Sequence, residues 1–191
     1  MLQSKPGRDS AIESLLSQNL QCLAEAEALL NELPAQHFAA ESAPAFESTI
    51  GAHMRHVLEH YDCFLQQLRG GTLCYEARAR DPRLERNRDL AIDKLRLLIN
   101  QLRAGAFDSV PDGLQISSGQ FDAGVPSTLA RELLFLYEHS VHHFALIAAI
   151  ARSLGHQPPA GFGVAIATLC NNEGGAVEPR LMPAANSRLQ G

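Results

Sequence analysis

The sequence predicts an all-α protein: a four-helix bundle with crossover connections and an irregular C-terminal tail. Four long segments repeat apolar residues at helical spacing, and capping residues, Pro or Gly bound each of them. No repeated alternating pattern indicates a larger sheet. Two connections are long enough to cross a bundle. We assign residues 1–172 to a single domain and expect residues 173–191 to form a flexible tail.

The first helix is predicted to begin at Ser10, which forms a capping-box pattern with Glu13. Its apolar residues keep helical spacing until Pro34, and the residues before Asp9 are expected to form a loose terminus. The connection that follows is rich in small residues and contains Pro44. It could therefore hold a short turn of helix but no long one.

The second helix is predicted to start after a cap at Ser48 or Thr49 and to run to about Arg69, where two glycines follow. Three histidines lie along one flank of its apolar stripe. Two of them project closer to the centre of the stripe than the third, so periodicity slightly favours these two for burial. The favoured pair is His53 and His60, and the third is His56.

Five arginines lie between residues 78 and 88, where Asp81, Glu85 and Asp89 offset their charge. Such a mixed run is typical of a solvated connection that leads into a helix, here the third helix, which ends at Gly105. Nucleic acid is therefore not an expected partner. The following connection is rich in Gly, Pro, Asp and Ser, with one short alternating stretch at residues 114–117 that could form an extended strand.

The fourth helix, residues 127–154, is strongly apolar and carries three histidines within five residues. His139 and His143 are four residues apart, which places both imidazoles on one helix face, about 40° out of line. His142 lies roughly 100° around the helix from His143, so it cannot join the same site from the same side. A short apolar stretch at 162–169 is expected to pack across the bundle.

Two imidazoles on one helix face can bind the same metal ion, but a stable site needs at least one more ligand. The second helix offers that ligand through its three histidines. The alternative is that all these histidines are packed and hydrogen-bonded core groups. The residues alone leave the choice of the third ligand open.

The run TIGAHMRH at residues 49–56, followed by HSVHH at residues 139–143, resembles the DinB-like bundle superfamily, which includes YfiT-type metal-dependent hydrolases. The resemblance extends from the first helix to the end of the fourth. It implies that one histidine about a turn and a half into the second helix joins the first and last histidines of the HxxxH motif. In this sequence those residues are His56, His139 and His143.

Other residues could support these ligands. His60, one turn from His56, and His142 are candidates, and Glu59 or Glu138 could orient an imidazole through a carboxylate hydrogen bond. Glu132, two turns before His139, either points toward the site or is a first-turn glutamate favoured by the helix dipole.

Two branches of the superfamily differ from this sequence. Ergothioneine-type sulfoxide synthases carry HxxxHxE, and here Ala145 stands in place of the glutamate. Mycothiol-dependent isomerases carry a glutamate where this chain has His139. The broader resemblance implies a metal-dependent hydrolase or thiol-dependent transferase with zinc or nickel at an open three-histidine site. The alternative is a non-catalytic helical-bundle binding module with structural histidines.

Composition sets the remaining expectations. The net charge of −5 is modest, and no leader segment or uncharged run of membrane-spanning length is evident, so we expect a cytoplasmic protein without a membrane partner. The cysteines are widely spaced without CxxC and are expected to be free thiols. The expected partners are a small-molecule substrate, with a thiol as one candidate, and a second copy of the chain in a homodimer. The cysteines are Cys22, Cys63, Cys74 and Cys170.

Overall fold

The described part of the chain is mainly helical and contains four long helices and one short helix. The structure is a computed structural model that describes residues 6–41, 48–105, 107–111, 113–120, 123–166 and 168. The all-α class and the bundle are confirmed, whereas the predicted tail at 173–191 and Cys170 lie outside the described residues. The helices are α1 (Pro6–Glu32), α2 (Ala35–Phe38), α3 (Ile50–Gln67), α4 (Arg88–Ala104) and α5 (Leu129–Ser153).

The four long helices enclose one apolar core. α1 and α3 each pack against both α4 and α5. Among the described helices, only α5 is long and apolar enough to cross a membrane by length and composition, with a mean hydropathy of 1.3. A central bundle helix meets the same criteria, because its apolar face is buried against its neighbours. The largest fully buried side chains of the core include Tyr61, Phe38, Phe64 and Phe144.

Side-chain caps set the starts of three helices. The Ala52 backbone N–H donates to the Thr49 hydroxyl over 3.0 Å, which caps α3. Asn87 caps α4, and Thr128 caps α5. A short 3-10 turn follows α3 and ends at Gly71, whose φ of 75° is in the left-handed region that glycine favours. The predicted boundaries of these three helices are confirmed to within two residues.

The start of α1 differs from the prediction. The helix begins at Pro6, so Ser10 lies inside it and does not cap it. Proline suits the first helical position because its φ is already helical and its missing N–H would have had no intrahelical partner. The short turn expected after Pro34 is α2, which buries Phe38 in the core.

A small sheet links the two helices that carry the histidines. Its strand order is β1-β2-β3, with β1 parallel to β2 and β2 antiparallel to β3. β2 is the extended stretch that the sequence predicted, whereas the other two strands were not predicted. Because β1 follows α3 and β3 precedes α5, the sheet holds both connections beside the α3–α5 contact. The strands are β1 (Thr72–Leu73), β2 (Leu114–Ile116) and β3 (Val125–Ser127).

Two glycines permit close backbone approaches near the histidine helices. A Cβ on Gly51 would lie 2.0 Å from the Glu85 carbonyl oxygen, so a side chain here would force α3 away from the segment before α4. Gly163 has a φ of 73°, and its Cβ would lie 2.5 Å from a backbone nitrogen of α5. This close contact lets Phe162 stack on Phe144 with ring centroids 5.2 Å apart, as expected of the apolar stretch after α5.

Candidate metal centre

Three imidazoles converge between α3 and α5. One nitrogen each from His56, His139 and His143 lies within 4.8 Å of the others. Their ring centroids are separated by 5.0 Å for His56 and His139 and by 4.6 Å for each of the other two pairs. In the part of the chain that the structure describes, this is the one group of three or more potential metal-binding side chains this close together.

The convergence follows from the helix geometry. His139 and His143 are separated by one turn, so both point from the same face of α5. α3 packs along α5 and brings His56 toward this face. The residues implied by the family resemblance are therefore the residues that the fold places together.

Partial burial keeps these imidazoles neutral. Loss of hydration lowers the pKa of His56 and of His143 to about 3, and that of His139 to about 4. Neighbouring imidazoles lower these pKa values further, because a second positive charge nearby is unfavourable. At neutral pH the three side chains are therefore in the unprotonated form that binds metals.

The donor set fits a divalent transition metal. The Nε2 atom of His139 is buried and has no hydrogen-bond partner. Such an atom loses its hydration without compensation, and coordination of a cation would satisfy it. Three neutral imidazole nitrogens are ligands typical of zinc and nickel.

His53 contacts one of the three imidazoles but lies outside the group. Its Nδ1 is 3.0 Å from Nδ1 of His143, close enough for a hydrogen bond between the rings. Because this bond uses Nδ1 of His143, the Nε2 atom remains as the ring nitrogen free to bind a metal. A hydrogen bond of this kind fixes the orientation of a metal-binding imidazole.

His60 lies beneath two of the imidazoles. Only 6% of the residue is exposed, and its ring centroid is 4.4 Å from those of both His56 and His139. Its Nδ1 is 2.7 Å from the His56 carbonyl oxygen, which can only accept, so Nδ1 carries the proton and Nε2 the lone pair. Burial lowers the pKa of His60 and favours this neutral form. This geometry suits the supporting role expected from the sequence.

Glu59 does not orient an imidazole directly. It is 5% exposed, and its Oε1 accepts the Asp81 backbone N–H over 2.8 Å. Its carboxylate oxygens lie 3.7 Å from the nearest nitrogens of Arg55 and Arg78. Burial raises the pKa of Glu59, although these neighbours oppose the change. Glu59 therefore contacts the centre through the arginines rather than through a histidine.

The other two candidates for supporting residues are exposed. Glu138 makes no hydrogen bond to a histidine within the described ranges. The His142 ring stands edge-on to that of His143, with centroids 5.2 Å apart. His142 thus touches the outer side of the centre, as its position on the helical wheel indicates.

The segment after β1 contributes residues whose role no sequence pattern indicated. Tyr75 stacks on His60 with ring centroids 5.6 Å apart, and its hydroxyl donates to Glu132 over 2.9 Å. Glu132 is buried and also accepts from Ser127, so its carboxylate holds Tyr75 in place. Arg78, from the same segment, places Nη2 3.4 Å from Nδ1 of His56. The solvated role expected for the arginine cluster is therefore wrong for Arg78, whose side chain is 16% exposed.

Sequence comparison assigns the family. Comparison with curated proteins finds no match. A family model, described as the DinB family, matches residues 5–168, which include all the described helices and the converging histidines. The chain therefore belongs to the DinB family.

Proposed function

We propose that this protein is a metal-dependent hydrolase or thiol-dependent transferase whose zinc or nickel ion is held by His56, His139 and His143. One observation carries the proposal: three imidazole nitrogens, one from each side chain, converge within 4.8 Å, and Nε2 of His139 is buried without a partner. A packed core histidine would instead be expected to have its hydrogen bonds satisfied.

Held by His56, His139 and His143, a zinc or nickel ion would supply Lewis-acid chemistry and would lower the pKa of a bound water or thiol. The surrounding side chains have complementary roles. Nε2 of His60 carries a lone pair and can accept a hydrogen bond from a nucleophile. Tyr75 and Phe135 stack on His60 and His139, respectively, and their own rings, with centroids 5.1 Å apart, form an aromatic wall beside the histidines.

A purely structural metal site is the competing function. Structural zinc sites are generally closed by four protein ligands, whereas catalytic sites use three. Within the described ranges, the group contains three ligands, which favours chemistry over a purely structural role.

The first test is metal content, measured by mass spectrometry on untagged protein. We expect about one zinc or nickel ion per chain in the wild type, little or none in His56→Ala, and a full complement in the matched variant His60→Ala. Loss of metal from His60→Ala, with metal retained in His56→Ala, would show that the third ligand is His60 and that the assignment of His56 is wrong. Absence of bound metal after careful reconstitution would leave the binding-module alternative.

The second test separates the open site from the closed one. Cobalt(II) would replace the native ion, and its absorption spectrum would be followed while a small thiol is added. A new thiolate-to-cobalt band is expected if a coordination position is accessible. A spectrum that does not respond would indicate a saturated, structural site. Screening esters and amides with and without thiol would then distinguish hydrolysis from thiol transfer.

The cellular setting is part of the same proposal. A cytoplasmic location suits Cys22, Cys63 and Cys74, which are free thiols in the structure. Burial raises the pKa of Cys22 to about 12, so this thiol is unreactive. A homodimer is the expected assembly, and light scattering coupled to size-exclusion chromatography would measure it.

A further inference from the structure

We propose that Arg78 forms an anion-binding subsite beside the three-histidine centre, and that the substrate of this centre carries an oxyanion, either a carboxylate or a phosphate. This inference rests on the metal-dependent function proposed above and specifies its substrate class. It concerns a residue outside the two histidine motifs.

The Arg78 side chain is held at the edge of the centre. Its Nη1 donates to the Tyr75 carbonyl oxygen over 3.0 Å, and its Nη2 lies 3.4 Å from Nδ1 of His56. With 16% of the side chain exposed, the guanidinium is neither fully buried nor free in solvent. Its charge also contributes to the lowered pKa values of His56, His60 and His139.

The contact between Arg78 and His56 lacks an acceptor once His56 binds a metal. If the metal is bound through Nε2, the Nδ1 atom carries a proton and faces a guanidinium that can only donate. If it is bound through Nδ1, that atom has no lone pair left for the guanidinium 3.4 Å away. In both cases Nη2 of Arg78 needs an acceptor from outside the ring.

Glu59 does not supply that acceptor. Its carboxylate is 3.7 Å from Nε of Arg78, and both Oε2 of Glu59 and Nε of Arg78 are buried without a hydrogen-bond partner. The same carboxylate faces Arg55 over 3.7 Å and is bound to a backbone N–H through Oε1. Arg78 therefore keeps unused donors, although a carboxylate is near.

A second arginine lies near the aromatic residues beside the centre. The Arg131 guanidinium is 5.5 Å from the centroid of the Phe135 ring, and Phe135 stacks on His139 with ring centroids 5.4 Å apart. The Glu132 carboxylate accepts from Tyr75 and Ser127 and lies 3.9 Å from Nη1 of Arg131. Arg131 therefore adds a paired and mostly exposed positive charge near the aromatic neighbours of the histidines, whereas Arg78 is the guanidinium in contact with one of them.

An oxyanion matches this environment. The planar guanidinium presents its N–H groups as a fork that fits two oxygens of a carboxylate or phosphate. A nearby divalent cation would add to the attraction for negative charge. The subsite therefore selects substrates whose reacting group lies close to an anionic group.

The test uses cobalt-loaded full-length protein in three forms: wild type, Arg78→Gln and the matched control Arg80→Gln. Arg80 is exposed, lies two residues along the same segment, and makes no hydrogen bond to a histidine within the described ranges. Inorganic phosphate and acetate would be titrated separately, with the cobalt absorption spectrum as the readout. We expect both anions to change the spectrum, and Arg78→Gln to weaken their binding about tenfold or more because a charge-assisted hydrogen bond is lost. Arg80→Gln should bind them as the wild type does.

The outcomes separate the two proposals. A wild type that binds no cobalt overturns the metal-dependent function and the subsite with it. Two results overturn the subsite alone. In one, the spectrum of the cobalt-loaded wild type does not change with either anion; in the other, the wild type and Arg78→Gln bind the anions with the same affinity. If Arg78→Gln does not fold, Arg78→Lys keeps the charge without the fork, and weaker anion binding than in the wild type is then the supporting result. The anion bound more tightly by the wild type, phosphate or acetate, identifies the source of the oxyanion.

Discussion

Metal affinity at the three-histidine centre should be almost independent of pH between 7 and 5. Protons compete with a metal ion for imidazole nitrogens, so affinity falls where the histidines become protonated. Burial lowers the pKa values of His56 and His143 to about 3 and that of His139 to about 4. All three values lie below pH 5, so the ligands stay neutral over this range.

The magnitude follows from the protonated fractions. At pH 5, each histidine with an ordinary pKa of about 6.5 would weaken metal binding about 30-fold, and three together would weaken it by about four orders of magnitude. With the lowered pKa values, the combined factor at pH 5 is only about 1.1-fold. The two cases differ so widely that a modest experimental accuracy separates them.

The assay is direct titration with cobalt(II) in a non-coordinating buffer at pH 7 and at pH 5, with far-UV circular dichroism to verify the fold. A loss of affinity greater than about 100-fold at pH 5, with unchanged circular dichroism, would refute the reasoning, since it requires histidines that titrate normally.

The stability of the metal-free protein should also depend on pH. The unfolded chain binds protons near pH 6.5 and the folded chain does not, so the metal-free protein should lose stability as the pH falls from about 6.5 toward 3.

Three substitutions test other parts of the structure. His53→Ala should weaken metal binding about 10- to 100-fold by releasing the hydrogen bond that orients a ligand, while His142→Ala should change it little; cobalt titration measures both. Gly51→Ala should destabilise the fold by about 1–3 kcal/mol or more, because the added Cβ would lie 2.0 Å from a backbone carbonyl oxygen. Gly70→Ala is the control in urea unfolding, since a Cβ there has no neighbouring atom within 4 Å. Tyr61→Phe should lower the free energy of unfolding by about 1–3 kcal/mol, because the buried Oδ1 of Asn19 in α1 loses its donor. A free energy of unfolding equal to that of the wild type would contradict this.

The helices could be predicted because their signals are local. Apolar residues at helical spacing, Thr49 as a cap and a glycine pair after α3 specify each element within a few neighbouring residues. The strands β1 and β3 carried no such signal. They have two and three residues, and each depends on pairing with Leu114–Ile116, about 40 residues from β1. Strands this short leave no periodicity to detect, and the partner of β1 is also distant in sequence.

The choice among the three histidines of α3 shows what periodicity can and cannot predict. It favoured His53 and His60 for burial, and His60 is indeed buried. However, the histidine that converges with both His139 and His143 is His56, which remains partly exposed. A metal ligand must reach the edge of the core, where one face stays open, so the most buried position is not the best ligand position. The motif register, rather than the apolar stripe, identified the convergent residue.

The segment after β1 explains how one bundle could serve different substrates. The histidines are placed by two long helices, whereas Tyr75 and Arg78 are placed by a connection that the small sheet holds against them. Arg78 lies in this connection and is not part of the apolar core, so it can change with less effect on helix packing than a core residue. We therefore expect substitutions at Arg78 to alter which anion is bound while the metal stoichiometry stays at one per chain. Loss of metal from Arg78→Gln, together with an intact fold, would instead make Arg78 part of the metal centre itself.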